Sequence, residues 1–136
     1  MRSRSSRLHL SVLVLLVACA PAIRFDERLQ AVLTERLYFG RRITNTLSVT
    51  DSAWGLFVKG VVSARLPQGF TYWAAEGEWR GADGESTREP SFVLEFVHPA
   101  SSAEADSAVV VIITEYKRRF SQQSVLRVVT PGRASF

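Results

Sequence analysis

The chain has 136 residues, 46% of them hydrophobic, with 17 basic against 13 acidic side chains and a single cysteine. One cysteine excludes a disulfide framework, and the length allows one domain with a modest core. Three of the arginines, Arg2, Arg4 and Arg7, lie in the first seven residues, so beyond them 14 basic face 13 acidic side chains and the clustered charge of a nucleic-acid-binding surface is excluded.

Those three arginines precede the apolar run Leu10 to Val17, which is too short to span a bilayer, and together they read as a signal peptide over residues 1–18. Leu16-Val17-Ala18-Cys19 ends the run as a lipobox, with a small residue before the only thiol. The expected product is a chain cut before Cys19, lipidated on that sulfur and anchored to the cell envelope, on the outer membrane facing the periplasm. The competing expectation is cleavage after Ala22, at Ala20-Pro21-Ala22, which yields a soluble exported protein.

Residues 19–33 are expected to be a tether, or a short helix over Phe25, Leu29 and Val32, and residues 34–136 a single domain. Glu35 to Gly40 reads as a strand with Leu37 and Phe39 on one face and Arg36 and Tyr38 on the other. After a polar loop, Thr50 caps a helix whose Trp54, Phe57, Val58, Val61 and Val62 recur at helical spacing, and Pro67 with Gly69 stops it.

Phe70 to Arg80 is the second strand, with a bulge expected near Gly77, and Asp83-Gly84 supplies a hairpin turn. The return strand, Ser91 to His98, alternates Phe92, Leu94 and Phe96 with Val93, Glu95 and Val97. Ser101 and Glu104 form a capping box for a second helix that buries Ala105, Ala108, Val109, Ile112, Tyr116 and Phe120, with Lys117, Arg118 and Arg119 at its end. Val125 to Thr130 is the last strand, and Pro131-Gly132 turns away.

The order β-α-β-β-α-β predicts an α+β ferredoxin-like sandwich: a four-stranded antiparallel sheet, spatial order 4-1-3-2, with two helices on one face. The helix-covered face is expected to hold Leu37, Phe39, Phe92, Leu94, Phe96, Leu126 and Val128. Arg36, Tyr38, Val93, Glu95, Val97, Val125, Arg127 and Val129 are expected on the open face.

Leu37-Tyr38-Phe39-Gly40, Trp79-Arg80 with Asp83-Gly84, Val97-His98-Pro99, Tyr116 to Phe120, Gln123 to Val128 and Ser135-Phe136 together resemble a bacterial family of small exported proteins catalogued as domain of unknown function 3574 (DUF3574). The resemblance covers about Glu35 to Phe136 and implies export and the fold, but no activity. The apolar run Val109 to Ile113 departs from the more polar second helix of that family, which predicts deeper burial there.

No catalytic residue, cofactor or metal site is expected. His98 reads as a structural histidine bonding a nearby backbone group at the sheet edge, Glu76 and Glu78 as a solvated edge, and Ser101, Ser102 and Asp106 as a helix start without a triad histidine. The candidate site is the open sheet face, with Arg36, Tyr38, Glu95 and Arg127 among valines. Three occupants compete for it: a second copy of the chain, a small anionic ligand held by Arg36 and Arg127, or a terminal segment. An envelope enzyme or ligand carrier using Tyr38, Glu95 and Arg127 is the first alternative function. A structural partner of an envelope complex, with Trp73 and Trp79 as exposed anchors, is the second.

Overall fold

The computed structural model describes residues 28–44, 46–80 and 84–136, and of Trp79 and Arg80 the backbone only. Cys19, the lipobox, Phe25 and Asp83 lie outside the described residues. Four strands, β1 (Gln30–Gly40), β2 (Thr71–Arg80), β3 (Ser86–Pro99) and β4 (Leu126–Ala134), form one antiparallel sheet in the order β2-β3-β1-β4. This is the expected order, with β1 and β3 central.

The first helix begins at Asp51 under Thr50, whose hydroxyl accepts from the Ala53 backbone N–H at 3.1 Å. Asp51–Phe57 is α-helical, Val58–Val62 winds as a π-helix, and Ser63–Arg65 closes it. Gly60 lies within the wide turn, where its weak helix propensity opposes rewinding least. The second helix, Ala103–Phe120, is capped by Ser102, which accepts from Ala105 N–H at 3.2 Å and donates to the Glu104 carboxylate; the expected cap at Ser101 is one residue early. It ends at Ser121 in the left-handed region, φ 52°.

Both helices cover one face of the sheet. Trp54 stacks on Phe92 with ring centroids 4.4 Å apart, and Phe39 meets Trp54 at 5.2 Å and Tyr116 at 4.6 Å. Leu37, Phe39, Leu94, Phe96, Val109 and Ile112 complete the core. Tyr116 donates its hydroxyl to the Gly40 carbonyl at 2.9 Å, and burial pushes its ionisation well above the usual phenol range. The Val109–Ile113 run splits by helical period: Val109 and Ile112 are fully buried, whereas Val110 is 54% exposed, so the deeper burial expected along the run is not found at Val110.

Three of the four strands are longer than the sequence suggested, whereas β2 starts one residue later than expected, at Thr71. β1 starts at Gln30, because Gln30 to Leu33 pair with Ala134 to Pro131 of β4. Pro131 therefore lies within a strand rather than a turn, which an edge strand tolerates. The register of β2 on β3 runs unbroken from Thr71 to Arg80, with no bulge at Gly77. Gly84 has the positive φ, 82°, expected of the hairpin.

Candidate functional site

Direct cross-strand partners share a face of an antiparallel sheet, so the register assigns every side chain. On the open face Trp73, Val93, Tyr38 and Leu126 form one row, and Thr71, Glu95, Arg36 and Val128 the next. Val93 is buried, while Trp73, Leu126 and Val128 are exposed. Arg36 donates Nε to Glu95 Oε2 at 2.8 Å and Nη2 to the same oxygen. The bonds to Glu95, and then to the Tyr38 hydroxyl, raise the Arg36 guanidinium above its ordinary value. Arg36, Tyr38 and Glu95 are thus brought together as expected, but Arg36 is already neutralised within the chain.

Arg127 is not with them. Its partner across the sheet is Leu37, so it lies on the helix-covered face, with Val129 beside Glu35, while Leu126 and Val128 face outward. The expected faces of β4 are therefore exchanged. The cause is Glu35, a fully buried carboxylate in phase with Leu37 and Phe39. An isolated buried carboxylate costs several kcal/mol, and the strand turns Arg127 toward it. Arg127 donates Nε to Glu35 Oε2 at 2.8 Å and Nη2 to Oε1 at 2.6 Å, and meets Asp106 of the second helix at 2.8 Å. Hydrogen bonding to Glu35 raises the Arg127 guanidinium above its ordinary value against the opposing effect of burial, with Asp106 adding to it. An anion cradle built from Arg36 and Arg127 is excluded by this placement.

His98 completes the buried cluster: Nε2 lies 3.5 Å from Glu35 Oε1, and Nδ1 contacts the Pro99 carbonyl at 2.9 Å. It bonds backbone as expected, but it is 7% exposed on a central strand rather than at the sheet edge. Sequence reasoning passed over Glu35. Its phase with Leu37 and Phe39 was the signal that could have found it. Glu76 and Glu78 are both exposed on the outer strand β2. Trp73 is 41% exposed, and the Trp79 side chain lies outside the described residues.

Depressions flank the sheet among the described residues. A cavity of about 260 Å³ lies between the end of the first helix and the start of the second, walled by Leu66, Pro67, Phe96 and His98. A polar cleft of about 380 Å³ opens at the Gly40 end of β1, between the loop after that strand and the turn that follows the second helix. Tyr38 and Leu126 line it, so the cleft is continuous with the open sheet face. Among the described residues no helix is long and apolar enough to cross a membrane, and no three His, Cys, Asp or Glu side chains are grouped to hold a metal ion.

The family model described as "Protein of unknown function (DUF3574)" matches residues 34–136. Among curated proteins none matches the chain significantly. The fold is similar to that of a phage SAM lyase in complex with S-methyl-5'-thioadenosine, with a TM-score of 0.56 and 15% identity over 86% of this chain and 97% of that one. Phage SAM lyase in its apo state gives a TM-score of 0.55 and 15% identity over 84% of this chain and 95% of the other. At that identity the likeness extends to the fold alone.

Proposed function

The chain belongs to the DUF3574 family of proteins of unknown function, which brings no activity with it, and from its own residues we propose a lipid-anchored envelope protein whose domain pairs with a second copy through the open sheet face. The observation that carries the pairing is the exposure of Trp73, Leu126 and Val128 around Tyr38 and the buried Val93, on a face that no helix among the described residues covers. Contiguous apolar surface of this kind marks interfaces more often than bare solvent boundary. The internal pairing of Arg36 with Glu95 leaves the face close to neutral, so an identical face suits it better than a charged partner does. No catalytic role is assigned: Glu35 and Arg127 are paired with one another, Arg127 also with Asp106, and His98 Nδ1 contacts backbone.

Sedimentation velocity on the processed full chain in detergent is expected to give a protein dimer. Trp73→Ala should weaken the dimer by about thirtyfold, the effect of losing an aromatic hot spot of roughly 2 kcal/mol. Leu126→Arg should abolish it. A wild-type monomer at the highest soluble concentration would remove the pairing.

The anchor rests on Leu16-Val17-Ala18-Cys19 behind the arginine-rich leader. Two or three acyl chains on one residue hold a protein firmly to a bilayer. In cells fed labelled palmitate, the wild type should take up label and sediment with outer membranes, and Cys19→Ser should do neither. An unlabelled, soluble wild type beginning at Ile23 would instead establish cleavage after Ala22.

A further inference from the structure

The polar cleft at the Gly40 end of β1 is a built feature. Gln122 ties its two walls together, Nε2 donating to the Arg42 carbonyl at 2.7 Å. Inside it the Glu89 carboxylate lies across Gly40 so closely that a Cβ there would stand 2.7 Å from Oε1. Backbone Arg42 N–H donates to that same oxygen at 2.9 Å, and the Arg42 guanidinium donates to the Arg88 carbonyl at 2.6 Å. The carboxylate is thereby fixed by one oxygen and keeps lone pairs on the other. Gln122 commits its amide N–H and retains its carbonyl oxygen. Ser121, Gln123 and Ser124 line the same space, and among the described residues none of their side chains is engaged elsewhere.

The charges lining the cleft are one of each sign, Arg42 and Glu89. An anionic ligand would meet Glu89 without a surplus of cations, and a metal ion would find a single carboxylate. An apolar ligand would strip water from hydroxyls and amides without replacing their hydrogen bonds, at about 1–3 kcal/mol for each group. A polyhydroxylated neutral ring meets all of these demands: its hydroxyls donate to Glu89 and Gln122, accept from Gln123 and the serines, and its C–H face packs on Tyr38 and Leu126. The volume of about 380 Å³ falls in the range of small-molecule sites. We propose that this cleft binds a neutral saccharide. The inference goes beyond the anchored dimer and does not require it, since no second copy contributes a residue; where the chain pairs, the second copy and the sugar compete for Tyr38 and Leu126.

Saturation-transfer difference NMR on the full chain, held in a zwitterionic detergent that carries no sugar headgroup, tests the site with glucose, N-acetylglucosamine and the linear N-acetylglucosamine tetramer. Transfer to at least one sugar is expected. Gln123→Ala and Glu89→Gln should each weaken it about tenfold, the loss of one hydrogen bond, with unchanged circular dichroism. Trp73→Ala, two strands away on the open face, should bind at least as well as the wild type, because weaker pairing leaves Tyr38 and Leu126 open to the sugar. Transfer to the tetramer alone would identify a polymer rather than a free sugar as the source. No transfer to any of the three, or undiminished transfer in both cleft variants, overturns the proposal.

Discussion

Arg127→Leu is expected to lower the unfolding free energy by about 3–5 kcal/mol, because it strands the Glu35 carboxylate in the core. Glu35 is fully buried and receives two guanidinium hydrogen bonds from Arg127. His98 approaches it at 3.5 Å. Glu35→Leu should cost a similar amount by leaving the arginine half-buried without its main partner. The double variant, Glu35→Leu with Arg127→Leu, should recover most of the loss, since apolar replacement of a whole buried pair is near neutral. Asp106→Ala removes only the exposed arm of the cluster and should cost under about 1 kcal/mol. Urea unfolding midpoints at constant m-value measure all four. A double variant as unstable as either single one would show that the pair is not held by mutual charge compensation.

Trp54→Ala should cost about 3–5 kcal/mol, the range for deleting a large aromatic from a packed core. Trp54 stacks on Phe92, meets Phe39, Phe57, Tyr72 and Tyr116, and is 2% exposed, so its removal opens a void between the first helix and three strands. Trp54→Phe is expected to behave differently. Among the described residues the indole Nε1–H is buried without a hydrogen-bond partner, an orphan that costs about 1–3 kcal/mol. Phenylalanine gives up part of the packing but also removes the orphan, and the variant should lie within about 1 kcal/mol of the wild type. Thermal and urea unfolding followed by far-UV circular dichroism separates the two. A Phe variant as weak as the Ala variant would show that the second ring of the indole carries the packing.

The element order, the strand order and the buried faces of both helices were legible because each rests on a one-sided pattern. Phe92, Leu94 and Phe96 alternate with Glu95, and Trp54 to Val62 place their apolar residues on one stripe, so only one face fits the core. β4 offers no such contrast. Leu126 and Val128 face Val125 and Val129 across the strand, and hydrophobicity alone cannot choose between them. The choice was made by Glu35, a contact separated by 92 residues that no local pattern announces. The same reasoning explains the candidate site. Arg36, Tyr38 and Glu95 sit on well-patterned strands and fell on the expected face, whereas Arg127 went with the register of β4. The cleft around Glu89 was invisible in sequence because Gly40, Glu89 and Gln122 meet only through the sheet and the end of the second helix.

The outer border of β4 limits how the sheet can grow. A strand added along that border would need an uninterrupted ladder of backbone donors, and Pro131 removes one from the middle of the row. Extension of the sheet from chain to chain, the route to fibrils, is therefore obstructed on this side.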